Sequence, residues 1–225
     1  MRTELIKYLQ SFVTDRRNEL FNEVISWRTR YLTIVLENIY QPHNASAVLR
    51  TCDCFGIHDI HIIENSNLYE VNPDVALGSN KWLNLKKYNS TENNTQTAIT
   101  QLKKNGYRII ATTPHTKDIR LDDFDIAKGK SALLFGTEMN GLSEKAMDMA
   151  DEFIKIPMFG FTESYNISVS AAIILSTLTK KLRADDSIDW QLNTKEKECV
   201  LLDWYKSSIN NSEGIINKYQ SAITD

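Results

Sequence analysis

The stretch TIVLENIYQPHNASAVLRTCDCFGIHDIHII, residues 33–63, decides how this chain is read. It opens on a run of β-branched and aliphatic residues, crosses a polar turn, and continues with apolar residues three and four apart. It then meets a glycine and ends in a second apolar run. Ala45, Val48, Leu49, Cys52 and Phe55 make one face of a helix, and Gly56 is placed to stop it. A strand, a helix and a strand in this order form the crossover unit that parallel strands need. Further short apolar runs bounded by polar residues or glycine follow: DIHIIEN (59–65), YRIIATT (107–113), SALLFGT (131–137) and EFIKIPM (152–158), with WLNLKKY (82–88) a weaker one. Helical patterns lie between them, in TENNTQTAITQLKKNG ending at Gly106, in LSEKAMDMA with Ser143 as its N-cap, and in SVSAAIILSTLTKKLR. The alternation predicts an α/β domain with a mostly parallel sheet. Helical segments flank it before residue 31 and after residue 185, where Asn193 and Glu196 have capping-box spacing.

The 225 residues suit one domain with helical extensions, and 42% apolar and 24% charged residues suit a globular protein with a proper core. No apolar run reaches the roughly 18 residues that span a membrane. The N-terminus is charged from its second residue and lacks the apolar run of a signal peptide. These features lead us to expect a cytoplasmic protein without a membrane segment. Cys52, Cys54 and Cys199 are odd in number and lack metal-type spacing. His43, His58, His61 and His115 are scattered, so no metal is expected. The net charge of −3 excludes indiscriminate coating of nucleic acid, but residues 1–31 carry six basic against four acidic residues. That segment is either a local RNA-binding patch or an amphipathic helix with a solvated charged face.

Ligands of an open parallel sheet bind beyond the carboxyl ends of the strands. The first such loop contains no glycine, which excludes the usual dinucleotide-binding turn. The glycines come late, in FGTEMNG (135–141), and a second structured loop follows in IPMFGFTESYNISVS (156–170). Read alone, each is either an ordinary turn or part of a small-molecule pocket. Arg50 falls opposite the apolar stripe of its helix, beside Ser46 and Asp53. It is either a solvated charge or a group aimed at a substrate.

Three segments, LENIYQPHNASAVLRTCDCFGIHDIHII, LLFGTEMNGLSEKAMDMAD and IPMFGFTESYNISVSAAIIL, together with ALGSNKWL and YRIIATTPH, resemble the SPOUT class of RNA methyltransferases, and within it the TrmH family of tRNA 2'-O-methyltransferases. The resemblance runs over about residues 30–183, in order and at family-like spacing. It implies a domain at 31–184 whose C-terminal part is threaded as a trefoil knot, with helical extensions at 1–30 and 185–225. It implies S-adenosylmethionine as cofactor, bordered by Thr112, Gly136, Ile156 and Tyr165, where relatives often carry Leu at the last position. It implies methyl transfer to a ribose 2'-hydroxyl of tRNA, at guanosine-18 of the D-loop. Arg50 stands at the position of the catalytic arginine, either as a base or as a clamp on phosphate and alkoxide. Asn44, Glu138, Ser164 and Asn166 stand at the other polar motif positions, Glu138 alternatively holding the loop or a dimer interface. The class works as homodimers, for which helix 168–183 is the candidate interface. Arg16, Arg17, Arg28 and Arg30 are then the candidates for tRNA phosphates. Two alternatives stay open: a ribosomal RNA 2'-O-methyltransferase, and a non-catalytic knotted RNA-binding module.

Overall fold

The computed structural model describes residues 2–68, 76, 78–114 and 118–224. Leu77 of the ALGSNKWL segment and His115 lie outside the described residues. The chain forms two compact units, one of residues 29–190 and one of residues 1–28 together with 191–225.

In the larger unit, strands β1 (Leu32–Glu37), β2 (Asp59–Ile63), β3 (Asn84–Tyr88), β4 (Arg108–Thr112), β5 (Ile119–Arg120), β6 (Ser131–Phe135) and β7 (Glu152–Lys155) form one sheet in the order β3-β2-β1-β6-β4-β7-β5. Every pairing among them is parallel. β1, β2 and β6 are buried along their whole length, as expected of strands covered on both faces. Side chains alternate between the two layers. Ile34 and Leu36 point to a core shared with helices α3 (Pro42–Cys54) and α6 (Ile167–Ala184), through Val48, Leu49, Ile174 and Leu178. Val35 and Leu134 point to the opposite core, closed by Ala98, Ile99 and Leu102 of α4 (Asn94–Lys104) and Ala146 of the short α5 (Glu144–Met149). α3 and α6 pack directly on one another. Gly56 and Gly106 follow α3 and α4 with φ of 76° and 81°, so each helix ends where the sequence pattern places its end. The two-residue β5 lies in a segment with no apolar run from which to predict it.

At the amino end of the sheet a buried polar cluster ties β1, β2 and β3 together. Asp59 meets Arg30 Nε and Lys86 Nζ at 3.3 Å each, and Asn84 Nδ2 donates to it at 2.9 Å. Burial pushes the Asp59 carboxyl up, but Arg30, Lys86 and the Asn84 hydrogen bond outweigh burial and hold it below the usual carboxylate range. His61 stacks on Tyr88 with its Nδ1 2.9 Å from the phenol oxygen. Burial, and secondarily Lys86, pushes this imidazole down to about 4.

The smaller unit gathers both ends of the chain: α1 (Arg2–Gln10), α2 (Asp15–Ser26), α7 (Thr194–Ser208) and α8 (Ser212–Thr224). The extensions expected at 1–30 and 185–225 thus form one unit, with α7 packed on α1 and α2. Phe21 packs its ring against Trp204 and Tyr205, and Tyr205 donates to Asn18 Oδ1 at 2.9 Å. The capping box of Asn193 and Glu196 is present at the start of α7. Residues 185–190 stay with the sheet unit, where Thr29 Oγ1 donates to the Trp190 carbonyl at 2.6 Å and the Arg183 guanidinium lies 5.8 Å above the Trp190 ring. Residues 1–28 hold five basic and four acidic residues and residues 191–225 hold four and five, so the unit is neutral as a whole.

Two of the four candidate RNA-contacting arginines are corrected by this packing. Arg28 is 1% exposed, its guanidinium 5.4 Å from the centre of the Trp204 ring. Arg30 is committed to Asp59. A helix-end charge reads as solvated until the aromatic ring that covers it, 176 positions away, is brought beside it. Arg16 and Arg17 are exposed on α2.

Candidate active site

The loop after β6 turns within a few residues. Thr137 and Gly141 exchange backbone hydrogen bonds of 2.9 Å in both directions, and Gly141 has φ of 67°. A Cβ on Gly136 would lie 2.1 Å from the carbonyl carbon and oxygen of Gly141, so only glycine lets the loop fold back this tightly. Its far end runs into Ser143, which caps α5 by accepting from Ala146 N–H.

Beside this loop is a cavity of about 420 Å³ at the carboxyl ends of β4, β6 and β7, bounded on its other side by the segment after β7 and the start of α6. Thr112, Gly136, Ile156 and Tyr165 line it, as do Glu138 and Ser164. Thr112 is held by a 2.7 Å hydrogen bond to the Leu134 carbonyl. Ile154, Ile156 and Ile174 supply apolar wall, and Glu138 and Glu163 supply carboxylates. Apolar walls with a few polar groups, at a size of several hundred cubic ångströms, suit a nucleoside-sized ligand.

Asn44 and Asn166 are absent from the lining and sit behind it, in a relay that joins the three loops. Asn44 Nδ2 donates to Glu138 Oε1, and to Gln41 Oε1 at 3.0 Å. Asn44 Oδ1 accepts from Asn166 Nδ2 at 3.1 Å. Asn166 Oδ1 in turn accepts from Ser168 N–H at 2.9 Å and Ser168 Oγ at 2.6 Å, capping α6. Asn44 is 6% exposed, and both hydrogens of its amide nitrogen are used by these contacts. Gln41 was not singled out by sequence reasoning, although its place just before Pro42 at the start of α3 marks it as a loop anchor.

Arg50 is exposed on α3, makes no hydrogen bond or ion pair among the described residues, and contributes nothing to the cavity wall. Ser46, expected to share its solvent face, is fully buried. Cys52 is buried and Cys54 exposed, on different faces as their spacing requires. His43 is exposed, and His58 and His61 are buried apart from the cavity. No group of three His, Cys, Asp or Glu able to hold a metal occurs among the described residues. No helix among them is long and apolar enough to cross a membrane.

Residues 31–176 match the model of the SpoU rRNA methylase family, and this span holds all three loops. The chain belongs to the SpoU methylase family. Among its SpoU relatives is a protein of Borreliella burgdorferi named tRNA (guanosine(18)-2'-O)-methyltransferase, 44% identical over 216 residues that cover 96% of each chain. A protein of the same name from Thermus thermophilus is 34% identical over 194 residues, covering 86% of this chain and 97% of that one. The fold matches the crystal structure of the Aquifex aeolicus TrmH/SpoU tRNA modifying enzyme with a TM-score of 0.77 at 25% identity, over 88% of this chain and 98% of that one. The SpoU fold recurs in a Streptomyces viridochromogenes methyltransferase solved with S-adenosylmethionine, at a TM-score of 0.60 and 21% identity over 72% of this chain and 65% of that one.

Proposed function

We propose that this protein is a cytoplasmic S-adenosylmethionine-dependent methyltransferase acting on the ribose 2'-hydroxyl of guanosine-18 in tRNA. The observation that carries the reading is the match to the Borreliella methyltransferase, whose 96% coverage of both chains extends into both terminal helical segments as well as the sheet unit. The cavity fits the cofactor chemically. Ile154, Ile156 and Ile174 offer an apolar seat for adenine, the turned backbone of the 136–141 loop offers polar main-chain groups, and Glu138 and Glu163 offer negative charge. When bound, the cofactor supplies a methyl group on a cationic sulfur.

The chain's own task is to bring a ribose hydroxyl in line with that methyl and to stabilise its oxygen as the proton leaves for solvent. Ser164 lies in the wall where the ribose would enter. Asn44, Glu138 and Asn166 support this reading as positioning groups, because their mutual hydrogen bonds hold the three loops in register. A guanidinium stays protonated under ordinary conditions. We therefore assign Arg50 to clamping the neighbouring phosphate and stabilising the developing alkoxide. Arg50 stands outside the wall of its own chain's cavity. We propose that the active form is a homodimer, which gives Arg50 of a second copy a route to that cavity. Its support is the 43% exposed Val169 on α6 and the almost fully exposed Phe159 and Phe161 in the preceding loop. We propose that the C-terminal part of the 31–184 domain is threaded as a trefoil knot, and that Arg16 and Arg17 meet tRNA phosphates.

The test is transfer of label from S-adenosylmethionine to an unmodified tRNA transcript, followed by mapping of the modified nucleotide. Label on the guanosine-18 ribose establishes the reading. The family model is described for ribosomal RNA, and that favours one second reading. Label on rRNA fragments and none on tRNA, from protein that binds the cofactor, would replace the first reading with it. Cofactor binding without transfer to either RNA would leave a binding module.

A further inference from the structure

Apart from Thr33, β1 is apolar until its last residue. There it places a carboxylate, Glu37, at 2% exposure. A buried carboxylate is costly unless its oxygens are satisfied. Glu37 meets no cation among the described residues, and its partners are neutral. Oε2 accepts from the backbone N–H of Ser143 at 2.9 Å. Oε1 accepts from Ser143 Oγ at 2.7 Å and from Thr95 Oγ1 at 2.5 Å. Ser143 is the residue on which the cavity loop lands and from which α5 starts. The near end of that loop is already fixed to the same strand, since Leu36 pairs with Phe135 immediately before Gly136. Glu37, one residue on, grips the far end. The next residue continues the pattern: Asn38, at φ of 53°, accepts from the backbone N–H groups of Asn65 and Ser66 at 2.8 and 3.0 Å.

We infer that Glu37 is a positioning residue of the methyltransferase site: its buried carboxylate pins Ser143 and so holds the 136–142 loop in the shape that receives the cofactor. The inference rests on the function proposed above for the cavity. Glu37 does not touch the cavity itself. It acts through Ser143, by charge-assisted hydrogen bonds that fix both position and direction. Glutamine in its place keeps the volume but loses the charge; with its oxygen on the Ser143 N–H, its amide nitrogen faces two hydroxyls that already accept, from Ala146 N–H and Asn65 Nδ2, and that must give up donating to this side chain.

The experiment compares Glu37→Gln and Ser143→Ala with Thr33→Val. Thr33→Val removes an equally buried hydrogen bond, to the Asp59 carbonyl at 2.5 Å, near the other end of the same strand. Two readouts are taken: calorimetric affinity for S-adenosylmethionine, and hydrogen exchange of the 137–143 amides without cofactor. We expect Glu37→Gln to weaken the cofactor by about tenfold or more and to speed exchange in 137–143 selectively. Ser143→Ala should do the same to a smaller degree, and Thr33→Val should do neither at a comparable loss of melting temperature. Wild-type affinity and exchange in Glu37→Gln, or equal changes in Thr33→Val, overturn the inference. If Glu37→Gln does not fold, Ser143→Ala with unchanged affinity and exchange overturns it. Wild-type protein that binds no cofactor sinks the proposed function instead, and the exchange comparison still decides whether Glu37 pins the loop.

Discussion

Glu37 and Asp59 are both buried carboxylates on neighbouring strands, and they are satisfied in opposite ways. Asp59, at the amino end of β2, is held by two cations and an amide. Glu37, at the carboxyl end of β1, is held by two hydroxyls and one backbone N–H. The cations around Asp59 come from long side chains that any rotamer change can shorten or lengthen, and they fasten the strands without dictating a loop's shape. The partners of Glu37 are short and directional, and they dictate where a loop lands. The difference separates a closure that gives stability from one that gives geometry. It matches the rule that open parallel sheets work at their carboxyl ends.

That contrast is sharpened most by a residue belonging to neither group. Arg50→Ala should lower methyl transfer by about a hundred- to a thousandfold, the loss seen when a transition-state donor is removed. Melting temperature and cofactor affinity should stay at wild-type values, since the side chain is exposed and unpaired among the described residues. Retained transfer would remove Arg50 from the mechanism. Next in size is Asp59→Ala, which strands Arg30 and Lys86. Removing one partner of a buried pair costs about 3–5 kcal/mol. Lys86 here is 40% exposed, so a loss of about 3 kcal/mol in urea unfolding is expected. Cofactor affinity in the folded protein should not change, and a large change in it would erase the distinction drawn above.

The third prediction concerns pH. His61 is pushed down to about 4, so the unfolded chain, with its imidazole near 6.5, binds a proton that the folded chain refuses. Stability from neutral His61 is therefore complete above about pH 6.5 and is lost as pH falls towards 4, by up to about 3 kcal/mol. His61→Phe should flatten the urea midpoint over that window, and a slope equal to wild type would show that other groups carry it. The smallest expected effect is Asn193→Ala. Loss of the cap of α7 should cost about 1 kcal/mol in unfolding and leave cofactor binding intact. A loss of cofactor affinity from this change would mean that the helical unit shapes the cavity.

The sheet was legible because burial on both faces requires unbroken apolar runs, and all six runs picked out on that basis are strands. Helix ends were legible at Gly56, Gly106, Ser143 and Asn193 because caps are local chemistry. The long-range partnerships were not. Nothing near Glu37 announces Ser143, 106 positions on, although a lone acidic residue closing the run TIVLE was a signal that could have been followed. Arg28 misled for the same reason in reverse, its ring partner lying at the other end of the chain. Helix α8 went unread although Ile215, Ile216, Tyr219 and Ala222 recur at helical spacing in SEGIINKYQSAIT, because its start carries no capping pattern like that of α7. At the candidate site, resemblance named the residues. The spatial relay from Glu138 through Asn44 to Asn166 belongs to the fold alone.

The joining of the first and last segments in one unit has a consequence for synthesis. Residues 1–28 leave the ribosome with α1 and α2 lacking the helix they pack on, because Trp204 and Tyr205, which cover Phe21, follow it by 183 and 184 positions. At elongation rates of about 5–20 residues per second, the wait is on the order of ten to thirty seconds. During that time the sheet unit has been completed and the opening helices have not. A nascent chain of this protein should therefore expose apolar surface of its first two helices to chaperones until residue 205 has emerged, and any truncation before residue 204 should leave it exposed permanently.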